Sequence, residues 1–438
     1  MEVIKVEEPQ LSLNYQRRTT INTSIKPLKV VSLFTGCGGM DIGFEGGFLV
    51  NKNSVNEKLS EDFIDKQVDD NYVKLKPTKF QTVFANDILK DAKKVWLNFF
   101  KNKGYSEEIY HVESIVDLVK MHKNGVEIFP SDVDLVTGGF PCQDFSVAGK
   151  RKGFKSHKDH NGKLIVGEAT IETRGQLYMW MKEVIDITQP KMFIAENVKG
   201  LVNFSNVKEI IQKDFASANG NGYLVLQPKV LHAADYGVPQ SRERVFFIGI
   251  KKSEINPKIL DELLKDEIKP EFSPYPEATH SFTKNSANLK RPVPLKDIFS
   301  DIEEPDISDD PSQKYFSKAK YMGKHCQGQT EINPENIGPT IRAEHHGNIE
   351  FRRLSEHNGG KNSEELKKGL KERRLTPREC ALIQTFPPDF DLVMPDFKNR
   401  FYISASSAYK LIGNAVPPLL AYNLARKIEK VWNIYFQK

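Results

Sequence analysis

The chain has 438 residues, 39% hydrophobic and 28% charged, an ordinary globular composition with room for one large domain and a smaller one. No apolar run approaches the roughly 18 residues of a membrane span, and the polar start "MEVIKVEEPQLSLNYQRRTT" lacks the basic-then-apolar pattern of a secretory signal. The net charge of +5 is compatible with nucleic acid without demanding it, and the four cysteines (Cys37, Cys142, Cys326, Cys380) form no CxxC pair. A disulfide framework or a zinc site is therefore not expected, no metal is expected, and a reducing cytoplasm fits.

In chain order, "LKVVSLFTGCGGMDIGFEGGF" (28–48) begins as a short apolar strand and passes into a glycine-rich turn. Residues 49–79 are polar and charged and read as an inserted surface loop. "FQTVFAND" (80–87) is a second strand ending at Asp87, and "AKKVWLNFF" (92–100) has helical spacing. "DVDLVTGGF" (132–140) is a third strand that runs into "GGFPCQDFS" (138–146). "GQLYMWMKEVIDITQ" (175–189) is an amphipathic helix followed by the strand "KMFIAENV" (191–198). "GYLVLQPKVLHAADYGV" (222–238) and "RVFFIGI" (244–250) supply further strands. This alternation predicts an α/β fold with a doubly wound, parallel or mostly parallel sheet.

Residues 266–375 are rich in Pro, Asn, Gly and charge, and read as a second, loop-rich domain. The expected division is an extension over 1–27, a main domain over 28–265, the second domain over 266–375, and a return to the main domain over 376–438. In the return, Thr376 is placed to cap a helix with Pro377 in its first turn. "SSAYKLIGNAVPPLLAYNLARKIEKVWNIYF" (406–436) reads as a turn and then one long helix.

Four places carry candidate chemistry. Open doubly wound sheets bind ligands beyond the carboxyl ends of their strands. The loop "FTGCGGMD" (34–41) and the strand-end Asp87 together suit a nucleoside-type cofactor, although the loop alone is equally a structural turn and is not GxGxxG. Cys142 is either a buried packing thiol or a reactive one. Its place at a strand end, the path set by Gly138, Gly139 and Pro141, and the basic loop after it favour reactivity. Glu196 in "AENVKG" (195–200) is either a loop-anchoring acid or a site carboxylate at the rim of the core. Arg242 and Arg244 in "PQSRERVFFIGI" (239–250) lie two apart, so they share one strand face and serve either a surface ion pair or an interior carbonyl or anion.

These residues resemble the DNA (cytosine-5-) methyltransferase family of the bacterial restriction-modification type. The resemblance is carried by "LFTGCGG", "GGFPCQDFSVAGKRKGF", "AENVKG", "QSRERVFFIGI", "RRLTPRECALIQTFP" and "LIGNAVPP", six blocks in the family's order. It implies a Rossmann-like sheet that binds S-adenosylmethionine and a smaller target recognition domain over 266–375. It implies Cys142 as the thiolate that adds to carbon 6 of cytosine, presented by Pro141. Glu196 holds ring nitrogen 3, Arg244 bonds the ring oxygen, Arg242 supports the site, and Asn197 braces the Pro-Cys loop.

For the cofactor the resemblance implies Phe34, Gly36, Gly38, Asp87, Ile88, Leu177, Asn414 and Ala415. The chain departs from the family at Ser114, where an aspartate is usual, at Ile88, where a larger side chain is usual, and at Ala415, where serine is common. The substrate implied is duplex DNA with its cytosine flipped out. Ser146, Lys150, Arg151 and Lys152 are the expected contacts on the mobile loop. Within "GPTIRAEHHGNIEFRR" (338–353), Arg342, His345, His346 and Arg352 are either DNA contacts or polar loop. "KKGLKERR" (367–374) is a further candidate for tracking the DNA backbone. The same resemblance implies a cytoplasmic monomer on the nucleoid, paired in function with a restriction endonuclease but forming no stable complex with it. An RNA cytosine methyltransferase, a non-catalytic DNA-binding relative and an NAD-dependent dehydrogenase are the competing readings; the first lacks a reason for 266–375, the second is opposed by the intact Cys142, Glu196 and Arg244, and the third lacks GxGxxG.

Overall fold

The computed structural model describes residues 26–141, 177–203, 206–283, 288–343, 349–396 and 401–437. Eleven strands are introduced in chain order: β1 (Leu28–Leu33), β2 (Leu49–Asn51), β3 (Ile64–Gln67), β4 (Tyr72–Leu75), β5 (Phe80–Asn86), β6 (Tyr110–His111), β7 (Leu135–Gly139), β8 (Met192–Val198), β9 (Tyr223–Val225), β10 (Lys229–His232) and β11 (Glu243–Lys251). The central sheet runs β10-β11-β8-β7-β1-β5-β6, with β9 also paired to β11. β6, β5, β1, β7 and β8 are mutually parallel, whereas β11 is antiparallel to β8, β9 and β10. The sheet is thus mixed, more so than the alternation of strands and helices predicted.

Side-chain alternation divides this sheet between two cores. On β8, Met192 and Ile194 enter one apolar cluster and Phe193 and Ala195 the other; on β11, Phe246 and Ile248 go one way and Val245 and Phe247 the other. Burial on both faces explains why these strands are continuous apolar runs in sequence. The first face is covered by the helices Gly39–Glu45, Lys90–Lys101 and Pro418–Phe436. The second is covered by Ile115–Lys123, Leu177–Thr188 and Val207–Ala216. The helix Gly39–Glu45 lies very close to the C-terminal helix, since a Cβ on Gly43 would stand 2.4 Å from the Pro418 carbonyl oxygen and 2.5 Å from Ala421 Cβ.

Three sequence expectations are corrected. Residues 49–79 are not a surface loop but carry a three-stranded antiparallel sheet, β2-β4-β3. Val50, Phe63, Val73 and Leu75 point into the main core while Asp65, Lys66 and Gln67 stay exposed, so the buried residues are too sparse in sequence to read. The Tyr422 hydroxyl donates to the carbonyls of Phe63 and Lys76, fixing this sheet to the C-terminal helix. Next, 406–436 contains two helices rather than a turn and one helix: Ala405–Asn414 and Pro418–Phe436, separated at Ala415–Pro417 because two prolines remove amide donors there.

The third correction concerns "KKGLKERR". Arg373 and Arg374 are buried, not presented to a phosphate backbone. Arg373 contacts Glu304 at 3.0 Å and Glu379 at 2.8 Å, and Arg353 contacts Glu304 at 2.5 Å and Glu365 at 2.7 Å. Burial works to raise the Glu304 carboxyl, but Arg353 and Arg373 hold it down at about 2. Thr376 caps the helix Pro377–Ile383 in a capping box with Glu379, as its position predicted. Within 266–375, Val293, Leu295, Ile298, Ile332, Ile341 and Leu375 join the same apolar cluster as the C-terminal helix.

Candidate active site

β1 ends in a loop whose backbone is unusual from its first residue. Phe34 has φ 52°, Gly36 57° and Gly38 89°, all left-handed. A bulky side chain in that region is strained and persists only where its surroundings hold it. The holding contacts are visible. Thr35 N donates to the Asn86 carbonyl at 2.8 Å, Gly36 N donates to Asp87 Oδ2 at 3.0 Å, and the Tyr110 hydroxyl donates to the Gly36 carbonyl at 2.8 Å. Asp87 Oδ1 accepts from Leu89 N at 2.9 Å, so two backbone amides orient this carboxylate at the end of β5.

Beneath the loop, Asp41 is buried and accepts from Ser32 Oγ at 2.6 Å and Trp96 Nε1 at 2.7 Å. Burial, against these two donors, pushes its carboxyl up to about 7. Gly38 packs here as well: a Cβ on it would stand 2.7 Å from Trp96 Cδ1. Gly38 is therefore not at the cavity surface, and its requirement is conformational and steric. Sequence reasoning placed it with the cofactor residues because a loop motif does not distinguish surface glycines from packed ones.

Across the sheet, β7 and β8 bring the second group together. Gly139 is the register partner of Glu196. Asn197 Nδ2 donates to the Phe140 carbonyl at 3.1 Å, which ties the chain entering Pro141 to β8. Glu196 and Arg244 form a buried ion pair, Nε to Oε1 at 2.8 Å, across the antiparallel β8–β11 pairing. Burial raises the Glu196 carboxyl, and Arg244 and then Arg242 oppose that rise without cancelling it. Arg242 takes a different role from its neighbour. Its Nη1 donates to the Ile341 carbonyl at 2.9 Å, and its Nη2 to the carbonyls of Gly413 and Ala415, both at 2.8 Å.

The two groups open on one cavity of about 740 Å³. It is lined by Phe34, Gly36, Asp87, Ile88, Leu177 and the Asn414–Ala415 turn, and also by Pro141, Glu196, Asn197, Arg242 and Arg244. Arg342 also lines it, with Nη1 3.5 Å from Glu350. Arg352 does not: it bonds Glu365 at 2.6 Å and stacks 4.3 Å from the Phe299 ring centroid, so its charge is neutralised inside the fold. Cys142, Ser146, Lys150, Arg151, Lys152, His345 and His346 lie outside the described residues. Cys37 and Cys380 are fully buried, and burial raises both thiols. Among the described residues no cluster of His, Cys, Asp and Glu is suited to a metal ion.

Ser114, the departure from the family's usual aspartate, caps the helix Ile115–Lys123 by accepting from Val116 N and also lines the cavity. Sequence reasoning missed other lining or supporting residues. Gln384 is fully buried and donates to the carbonyls of Ile412 and Ala415 at 2.7 Å, so it and Arg242 hold the same turn. A glutamine within the apolar run "CALIQTF" was the available signal, since a buried amide needs partners. Lys410, also on the cavity wall, had no signal in sequence, whereas the lining segment Thr340–Ala343 falls within the 338–353 stretch and includes Arg342.

A family model for C-5 cytosine-specific DNA methylases matches residues 28–430. The Bacillus subtilis Type II methyltransferase M.BsuRI is 32% identical over 425 residues, covering 93% of this chain and 80% of that one. The Neisseria gonorrhoeae Type II methyltransferase M.NgoPII is 28% identical over 424 residues, covering 93% and 97%. Among solved structures, the S. pombe Dnmt2 methyltransferase aligns with TM-score 0.52 at 17% identity over 92% of this chain and 99% of that one, a likeness of fold. The chain belongs to the C-5 cytosine-specific DNA methylase family and is a DNA cytosine-5-methyltransferase.

Proposed function

We propose that this enzyme methylates one cytosine in a specific duplex sequence through a covalent Cys142 adduct. Carbon 5 of cytosine is a weak nucleophile. Addition of the Cys142 thiolate to carbon 6 forms an S–C6 bond and moves the ring electrons toward carbon 5, which would then bond the methyl group as that group's bond to the donor's sulfur breaks and the sulfur keeps the electron pair. A base removes the carbon-5 proton, and those electrons expel the thiolate, restoring the ring. Glu196 is placed to hold ring nitrogen 3, and burial shifts its carboxyl upward, toward the protonated form that can donate a hydrogen bond. Arg244 faces the ring oxygen, where negative charge develops, and its pairing with Glu196 sets both side chains before the base arrives. Pro141 presents Cys142 and Asn197 braces that turn.

The cofactor is S-adenosylmethionine, which supplies an electrophilic methyl group. The residues present fit it. Asp87 is oriented by two backbone amides at the cavity wall, where a carboxylate suits ribose hydroxyls, Ile88 and Leu177 are apolar walls for a purine, and the Phe34–Gly36 backbone leaves room for close approach. The duplex buries its bases, so the target is flipped out, with Ser146, Lys150, Arg151 and Lys152 contacting the DNA on the loop that follows Cys142. Residues 266–375 read the sequence, with Arg342, His345 and His346 as contacts.

The enzyme acts as a cytoplasmic monomer on the nucleoid and forms no stable complex with its cognate restriction endonuclease; the Type II names of its relatives support only the protective pairing with such an enzyme. The observation that supports the reading most is the single cavity shared by Asp87 and the Glu196–Arg244 pair. The test is transfer of labelled methyl from S-adenosylmethionine to duplex DNA and to tRNA. Label at carbon 5 of cytosine in the duplex is expected, and label confined to tRNA contradicts the reading.

A further inference from the structure

Residues 311–330 contain no Asp or Glu but carry Lys314, Lys318, Lys320, Lys324 and His325. The ten residues before them, 301–310, hold six acids. Two of those acids are engaged by arginines: Glu304 holds Arg353 and Arg373, and Asp310 caps the helix Pro311–Lys314 and contacts Arg378 at 2.6 Å. The four lysines are exposed, and among the described residues none has an acidic partner. Lys318 lies 3.5 Å from the Phe316 ring centroid, a contact that leaves its charge uncompensated. A local excess of unpaired cations on a protein with mixed surface charge marks the position of a polyanion.

A second, independent feature is the frame under this strip. Arg374 is 1% exposed, and its guanidinium donates to the carbonyls of Ala319 at 2.7 Å, Lys320 at 3.1 Å and Gly328 at 2.7 Å, and to that of Ile349. Its flat face lies 4.1 Å from the Phe351 ring centroid, and Tyr321 meets the same ring at 6.0 Å. One buried cation thus fixes the backbone of a segment with little regular structure, lowering the entropy cost of ordering it on a ligand. Both sides of the frame reach the cavity. Ser317 N donates to the Tyr409 hydroxyl at 3.2 Å, and Lys410 next to it lines the cavity. Ile349 precedes Glu350, whose partner Arg342 lines the cavity too.

We propose that the strip Lys314–His325 is a phosphate-contacting surface for duplex DNA beside the cytosine pocket, and that Arg374 is its positioning residue. The proposal rests on duplex DNA being the substrate. Each lysine neutralises a phosphate and releases a counterion, so the strip adds affinity and salt dependence but no base discrimination.

The test is a variant of the full chain carrying Lys318→Gln, Lys320→Gln and Lys324→Gln, titrated against a labelled duplex of mixed sequence across a salt series. Relative to the parent chain, the slope of log affinity against log salt is expected to be shallower by roughly 2 to 3. Affinity at low salt falls at least about tenfold, with the unfolding midpoint and cofactor affinity unchanged. A control with Lys58→Gln, Lys66→Gln and Lys258→Gln, equally charge-reducing, keeps the parent slope. A parent slope in the strip variant, or an equal loss in the control, overturns the proposal. A loss confined to tRNA binding assigns the strip to RNA and overturns it as well. A parent chain that binds no duplex overturns the functional reading together with it, whereas an unchanged slope overturns the strip alone.

Discussion

The Asn197 side-chain amide donates to the backbone carbonyl of Phe140 at 3.1 Å, joining the strand that carries Glu196 to the turn that leads into Cys142. The bond is buried, so neither partner can turn to water when it is lost. Asn197→Ala should lower kcat by roughly 10- to 100-fold, the equivalent of about 1–3 kcal/mol for a buried unsatisfied carbonyl. Cofactor affinity should be unchanged, because Asp87 has its own supports. Steady-state kinetics with equilibrium cofactor binding checks this, and equal loss in both quantities contradicts it.

Arg242 and Arg244 are two residues apart and have separable duties. Arg244→Lys removes the Nε contact to Glu196 and should reduce kcat with little change in cofactor affinity. Arg242→Lys cannot reach the carbonyls of Ile341, Gly413 and Ala415 together. It should weaken cofactor binding and DNA binding jointly, and lower stability by about 2 kcal/mol or more through unpaired buried carbonyls. Calorimetric cofactor titration and denaturant unfolding of both variants separate these duties.

Asp41 gives stability a pH dependence of one sign. Its folded carboxyl is raised to about 7 from 3.8, so its contribution is fully present below about pH 4 and is lost as pH rises through about 7. Asp41→Asn should flatten the part of the stability curve between those values. Denaturant midpoints at a series of pH values measure it, and an unaltered slope contradicts the burial argument.

Glu304 acts in the opposite direction. Its carboxyl is held at about 2 by Arg353 and Arg373, below its ordinary 4.5, so its contribution is present above 4.5 and is lost as pH falls toward 2. Glu304→Gln should remove part of the acid sensitivity and lower stability at neutral pH, because two buried guanidiniums lose a shared partner. The check is acid unfolding followed by circular dichroism.

The legible parts of this protein are those whose physics is local in sequence. β8 and β11 are buried on both faces, so each carries a continuous apolar run, and the glycine loop and Thr376 cap have local signatures. Periodicity carries no strand direction, which is why the antiparallel β11 was not distinguished from a parallel strand. β3 buries almost nothing of its own, so 49–79 read as a loop. Arg352, Arg353, Arg373 and Arg374 read as surface cations because partners such as Glu304, 49 and 69 residues away from Arg353 and Arg373, are invisible to local pattern. The approach of Glu196 to Arg244 was implied by family likeness, while its strand-to-strand geometry came only from the fold.

The central claim is that Cys142 bonds covalently to cytosine. It is tested most directly by incubating the enzyme and S-adenosylmethionine with a duplex in which 5-fluorocytosine replaces cytosine, then mapping the adduct by peptide mass spectrometry. Fluorine cannot be removed as the proton is, so the complex should be trapped on the peptide containing Cys142, and Cys142→Ala should give neither adduct nor methyl transfer to ordinary duplex. Methyl transfer that survives in Cys142→Ala, or an adduct on any other residue, contradicts the account.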